Sequence, residues 1–180
     1  MKRVLALLCI CVTLAACESP TTQRYAISAD NNQAIKALGT TGVGVRAFTP
    51  PATFDANCRA LGPMKVADDL SHTQYIQKAF EDELKIAGAF AASGARVTLG
   101  GTVNKLEFSS SKGVTGGYWQ IDMTLASSNG GRLDVSEYYE FNSGFVANDA
   151  CRNTAEAYSR AVQNLVGKAV RSAGFADLLK

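Results

Sequence analysis

Residues 117–127 read GYWQIDMTLAS, with Trp119, Ile121, Met123 and Leu125 at every second position. A two-residue period sends alternate side chains to opposite faces of a strand, so this stretch buries one face and wets the other. The next residues, SSNGG (127–131), contain Asn129-Gly130, a strong signal for a tight hairpin turn. RLDVSEYYEF (132–141) then runs back as a strand. Upstream lies ARVTLGGTVNKLEFSS (95–110), where Val97, Leu99, Gly101 and Val103 share one phase while Leu106 and Phe108 take the other. That slip of one residue near Asn104-Lys105 predicts a β-bulge. Three strands in succession with one apolar face make a meander that needs a cover.

Two helical stretches can supply it. Ser71 and Gln74 form a capping box, and Tyr75, Ile76, Ala79, Phe80, Leu84 and Ala87 follow at helical spacing up to a stop at Gly88. A second helix is expected from about Asn148 to Ala173, with Ala155, Tyr158, Val162, Leu165, Val166, Ala169 and Val170 as its stripe. Gly174 would close it, with Phe175 folding back. VGVRAF (43–48) reads as a first strand, stopped by Pro50-Pro51 and followed by a loop over 49–69. The expected fold is α+β, in the order β-α-β-β-β-α. It has a four-stranded, largely antiparallel sheet with two amphipathic helices on one face.

The chain opens with MKRVLALLCICVTLAAC (1–17). Lys2 and Arg3 precede an uncharged run from Val4 to Ala16, which is too short for a comfortable membrane span. Cations, a short apolar run and small residues make a secretory signal. Leu14-Ala15-Ala16-Cys17 resembles a bacterial lipobox. The resemblance implies cleavage before Cys17, a thioether-linked diacylglycerol on its sulfur and an acyl chain on its new amino group. Three chains would hold a protein on a membrane almost permanently, since one holds only marginally. Residue 18 is Glu rather than the Asp of the inner-membrane retention rule, so the expected address is the outer membrane, facing the periplasm. The expected organisation is a signal at 1–16, a lipidated cysteine and tether at 17–41, and one domain at 42–180. Within the tether, Asp30 and Gln33 fit a capping box for a short helix that ends at Gly39.

Removing residues 1–16 takes away Lys2 and Arg3 and no acid, which leaves 16 cations against 16 anions. Nothing in that balance suits a nucleic-acid partner. Of the five cysteines, Cys58 and Cys151 remain once the signal and the lipid site are set aside. In an oxidising compartment the pair is read as a disulfide. The competing reading is a reactive thiol at Cys151, near a helix start.

Catalytic chemistry finds little footing. His72 is the single histidine, and Asp68, Asp69 and His72 fit a helix start better than a metal site, which generally needs three or four placed ligands. Glu137 and Glu140 fall on opposite strand faces by period. GTTGVGV (39–45) precedes a strand instead of following one, and SSSKGVTGG (109–117) opens no helix, so neither is a nucleotide loop. The latter reads as a flexible hairpin loop, with Lys112, Gly113 and Tyr118 as candidate contact residues. Trp119 shares phase with Ile121 and belongs to the core. No catalytic residue, metal or cofactor is expected.

NCRALGPM (57–64), GGTVNKLEFSSSKG (100–113), YWQIDMTLASSNGG (118–131) and YYEFNSGFVANDAC (138–151) resemble, as a set, a group of small uncharacterised proteobacterial lipoproteins. The resemblance covers residues about 42–175. The element order is also similar to that of accessory lipoproteins of envelope transport and assembly systems, which use a small α+β domain to dock on partners. What the resemblance implies is a non-enzymatic, membrane-anchored adaptor with an envelope protein as partner. The alternative is a periplasmic carrier that holds a lipid or small apolar ligand between sheet and helices. An adaptor needs a solid core and an exposed patch, and a carrier needs a continuous apolar cavity.

Overall fold

The computed structural model describes residues 19–180. The expected signal and Cys17 lie outside the described residues. The elements are α1 (Ala29–Ala37), β1 (Val43–Val45), α2 (His72–Ile86), β2 (Val97–Lys112), β3 (Gly116–Ser127), β4 (Arg132–Asn142), α3 (Ala147–Val170) and α4 (Ala173–Leu178). They form a four-stranded sheet in the order β1-β2-β3-β4.

The meander is built as its alternation dictates. β2 and β3 pair antiparallel, with Val103 opposite Met123 and then Lys105 opposite Asp122, so the ladder slips by one residue at Asn104. The slip turns Leu106 onto the same face as Val103. β3 and β4 pair from Gly116–Asn142 to Ala126–Arg132, closed at one end by the Asn129-Gly130 turn with Gly130 at φ 92. Trp119, Ile121, Met123 and Leu125 are all buried.

The sheet is mixed rather than largely antiparallel, because β1 pairs parallel to β2, with Val43 opposite Val97. A parallel neighbour needs a crossover, and α2 provides it. β1 is also shorter than the expected VGVRAF strand. Beyond Val45, Arg46 N–H still donates to Leu99 O at 3.0 Å, and Thr49 rejoins β2, its N–H donating to Gly101 O at 2.8 Å. Between them the Phe48 ring lies over Gly101, where an added Cβ would stand 2.7 Å from ring carbons.

Both long helices lie on one face. α2 starts at the expected capping box: Ser71 Oγ accepts from Gln74 N–H and Gln74 Oε1 accepts from Ser71 N–H. It stops before Gly88, at φ 76. α3 buries Tyr158, Val162, Leu165, Val166 and Val170, as the stripe predicts. It ends at Val170, however, and Gly174 sits inside the separate short helix α4 instead of closing α3. Phe175 is fully buried from α4. The chain turns early because Ser172 adopts an extended backbone, which brings Phe175 into the core.

The stretch expected as a tether lies largely on the domain. α1 is capped by Ser28, whose Oγ accepts from Asn31 N–H, and not by Asp30. Ile35 and Asn31 are buried. Earlier still, Lys65 N–H donates to Pro20 O at 2.8 Å and Thr22 N–H donates to Lys65 O at 2.9 Å.

Candidate functional site

The face of the sheet opposite the helices carries the polar half of the alternation: Lys105 and Glu107 on β2, Tyr118, Gln120 and Asp122 on β3, and Tyr138 and Glu140 on β4. Tyr118 and Tyr138 stack with ring centroids 5.1 Å apart. The Lys112 ammonium lies 5.2 Å from the Tyr138 ring centre, donates to Tyr138 Oη at 3.1 Å and pairs with Glu140. The contact to Glu140 first, and that to Tyr138 second, raise its pKa. Lys105 pairs with Glu107 at 3.0 Å. The face is thus an aromatic pair set in a mosaic of both charges, with Tyr138 about half exposed at 47%.

Two of the candidate contact residues, Lys112 and Tyr118, therefore meet on this face through Tyr138. Gly113 is at the hairpin tip, at φ 65. The expected flexible loop over 109–117 is mostly strand, since β2 runs to Lys112 and β3 begins at Gly116. The ladder persists because Ser143 N–H and Gly144 N–H both donate to Thr115 O, and Ser143 Oγ donates to Ser110 O at 2.7 Å.

Behind that tip, Cys58 and Cys151 form a disulfide, with Cα atoms 5.7 Å apart. Cys151 lies near the start of α3, just past its first turn, and is bonded to Cys58, so the thiol reading of that residue gives way. Arg59, next to the bridge, has a left-handed backbone (φ 51) that a side chain adopts at some cost. Its guanidinium compensates with donations to Ser110 O at 2.6 Å, Ser110 Oγ at 3.1 Å and Phe145 O at 2.8 Å. The bridge and this arginine clamp the loop after β4, holding Phe145 and Val146 outward at 75% and 58% exposure. Arg59, Phe145 and Val146 were not legible as site residues, because no periodicity surrounds them.

The polar residues weighed as metal or acid–base candidates are dispersed. Asp68 pairs with Arg24 at 2.6 Å. His72 turns into the core against Phe54, Tyr158 and Trp119, with ring centres at 4.7, 5.0 and 6.0 Å. Burial depresses its pKa to about 4. Glu137 faces α3, pairing with Lys168 at 2.6 Å, while Glu140 is on the open face. Among the described residues no three His, Cys, Asp or Glu gather as a metal site.

Between sheet and helices the space is filled. Trp119, Tyr158, Phe80 and Phe175 are all at most 1% exposed, and Trp119 Nε1 donates to Thr154 O at 2.8 Å. Two surface clefts of about 260 Å³ have linings of mixed polarity. Arg24, Asp68, Lys78 and Asp82 line one together with Tyr25, Leu70 and Tyr75. Asn142, Asn153, Glu156 and Arg160 line the other together with Tyr139, Phe141 and Ala157.

No family model matches the sequence, and no curated protein matches it. Solved structures do resemble it. Protein XCC0632 from Xanthomonas campestris, of the family DUF330, superposes with a TM-score of 0.54 at 12% identity, over 84% of this chain and 90% of that one. A candidate lipoprotein from Caulobacter crescentus gives a TM-score of 0.41 at 16% identity, over 84% and 96%. The first likeness is one of fold, shared with a small proteobacterial protein. The second is too weak to add to it.

Proposed function

We propose that the protein is a lipid-anchored, non-enzymatic adaptor of the cell envelope, acylated at Cys17 and presenting its open sheet face to an envelope protein. The observation that carries the adaptor reading is the pairing of a filled core with an uncovered face that bears Tyr118, Tyr138 and Lys112. Stacked tyrosines among mixed charges supply large contact area at low entropic cost and directional contacts at the rim. The rival carrier reading asks for an apolar cavity of several hundred Å³. The buried aromatic core and surface clefts of only about 260 Å³ with mixed linings weigh against it. The lipobox supports the anchor, and Glu18 after the cysteine favours an outer-membrane address facing the periplasm.

A photo-crosslinking residue at Tyr118 or Tyr138 in living cells tests the adaptor reading. Capture of one stoichiometric envelope protein, lost with Lys112→Glu and absent from a control position at Arg160 on α3, supports it. Capture of lipid alone overturns it. The anchor is tested separately with Cys17→Ser, which should leave the envelope fraction. A variant that remains there as firmly as wild type refutes lipidation.

A further inference from the structure

We infer that the hairpin end of the domain rests on the bilayer that holds the lipid, with Phe145, Val146 and Val114 dipping into its interface. This rests on the acylation of Cys17 proposed above.

The path of the N-terminal segment sets the orientation. Ser28 N–H donates to Glu83, near the end of α2, and Tyr75, near its start, donates to Gln23 O. Pro20 and Thr22 then bond Lys65, upstream of α2. Read backwards, the chain runs from the end of α2 toward its start and past it. The start of α2 lies at the Phe108–Trp119 level of the sheet, through the contacts of His72 and Phe54. Its far end lies beside Val43 and Val97, at the opposite end of β2. The described chain therefore begins, at residues 19–20, toward the hairpin tip. Only residues 18 and 19 separate Cys17 from Pro20, so the lipidated residue stands at most about 11 Å from a packed one. A domain held so closely meets the membrane with the end where its chain emerges.

That end is unusually apolar at its extremities. Phe145, Val114 and Val146 are 75%, 71% and 58% exposed, and Leu61 of the neighbouring loop is 38% exposed. The side chains project from a fixed framework, because Arg59 and Thr115 hold the loop that presents them. Of the charges beside them, Lys112 pairs with Glu140 and Arg152 with Asp149, while the Arg59 guanidinium donates to Ser110 and to the Phe145 carbonyl. Such an end gains from leaving water through its apolar side chains, whereas the mixed-charge sheet face suits a protein.

The test uses the full lipidated protein in phosphatidylcholine vesicles whose acyl chains are brominated near the headgroup. Phe145→Trp reports on this end, and Ile86→Trp, at the other end of α2, is the control. The buried Trp119 is common to both. The expected result is blue-shifted emission and at least roughly two-fold quenching of the added signal for Phe145→Trp, and none for Ile86→Trp, in vesicles of zwitterionic lipid alone. If the protein floats with the vesicles yet Phe145→Trp is unquenched, the domain stands off the bilayer and this inference fails alone. If mass spectrometry finds no lipid on Cys17 and nothing floats, the anchor reading fails and takes this one with it.

Discussion

The hydroxyl of Tyr25 donates to the Glu83 carboxylate at 2.8 Å, across 58 positions of sequence. The same oxygen accepts from Ser28 N–H at 2.9 Å and Asn31 Nδ2 at 3.1 Å. Glu83 is fully buried, and so is Asn31, whose side-chain oxygen in turn accepts from Arg171. One carboxylate thereby fastens the N-terminal segment to α2 and, through Asn31, to the end of α3.

Replacing Glu83 by Ala leaves three donors without their acceptor in a dry site. The expected cost is about 2–3 kcal/mol, or roughly 5–10 °C in thermal midpoint for a chain of this size. Limited proteolysis should cut between residues 20 and 38 well before the sheet. Glu83→Gln keeps an acceptor oxygen and should lose less. An alanine variant with an unchanged midpoint and cleavage pattern would remove the clamp from the account.

The Cys58–Cys151 bridge spans 93 positions. Closing a loop of that size stabilises by roughly 4–5 kcal/mol on the chain-entropy model. Reductant should lower the denaturation midpoint of wild type by that order and leave a Cys58→Ser/Cys151→Ser variant unmoved. Free thiols at both positions in protein isolated from the envelope would contradict the pairing.

His72 carries the acid response. Its pKa is about 4 in the fold, because burial disfavours the cation, against an ordinary 6.5. As pH falls, the unfolded chain takes the proton first, so stability is intact above about 6.5 and drains away between 6.5 and 4. The whole effect is about 3 kcal/mol. His72→Phe, which suits the aromatic neighbours, should flatten denaturation curves across that window. Equal slopes in the two proteins would assign the loss to other groups.

Gly101 makes room for Phe48. A Cβ there would lie 2.7 Å from the ring and 3.0 Å from Met123 Cε. Gly101→Ala should cost about 1–3 kcal/mol by overpacking. Combining it with Phe48→Leu should cost less than the two changes summed, in chemical denaturation. Strict additivity would mean that the two residues do not compete for the space.

The legible elements were those whose signal repeats. β3 and β4, the bulge at Asn104, the capping box of α2 and the stripe of α3 each rest on a period or a short capping motif that neighbouring residues reinforce. What escaped were interactions without local pattern. The parallel pairing of β1 escaped because that strand's partner lies 54 positions away. Ser28 outcompeted Asp30 as a cap because Glu83 holds the Ser28 backbone. Of the candidate contact residues, Lys112 and Tyr118 do share a face, but the residue that joins them, Tyr138, is on another strand. Arg59, Phe145 and Val146 become a site only when the disulfide and the hairpin tip converge.

The amino-acid sequence by itself determined the meander, the two covering helices, the absence of net charge after residue 16 and the pair of cysteines left to bond. Alternation and capping act between neighbours a few residues apart, and those forces need no fold to be read. Tertiary structure alone decided that residues 20–38 are fastened to the domain, that the sheet is mixed, and that apolar tips gather at the end where the described chain begins. Each of these depends on groups dozens of positions apart meeting in a dry interior, and that meeting exists only once the whole chain has packed.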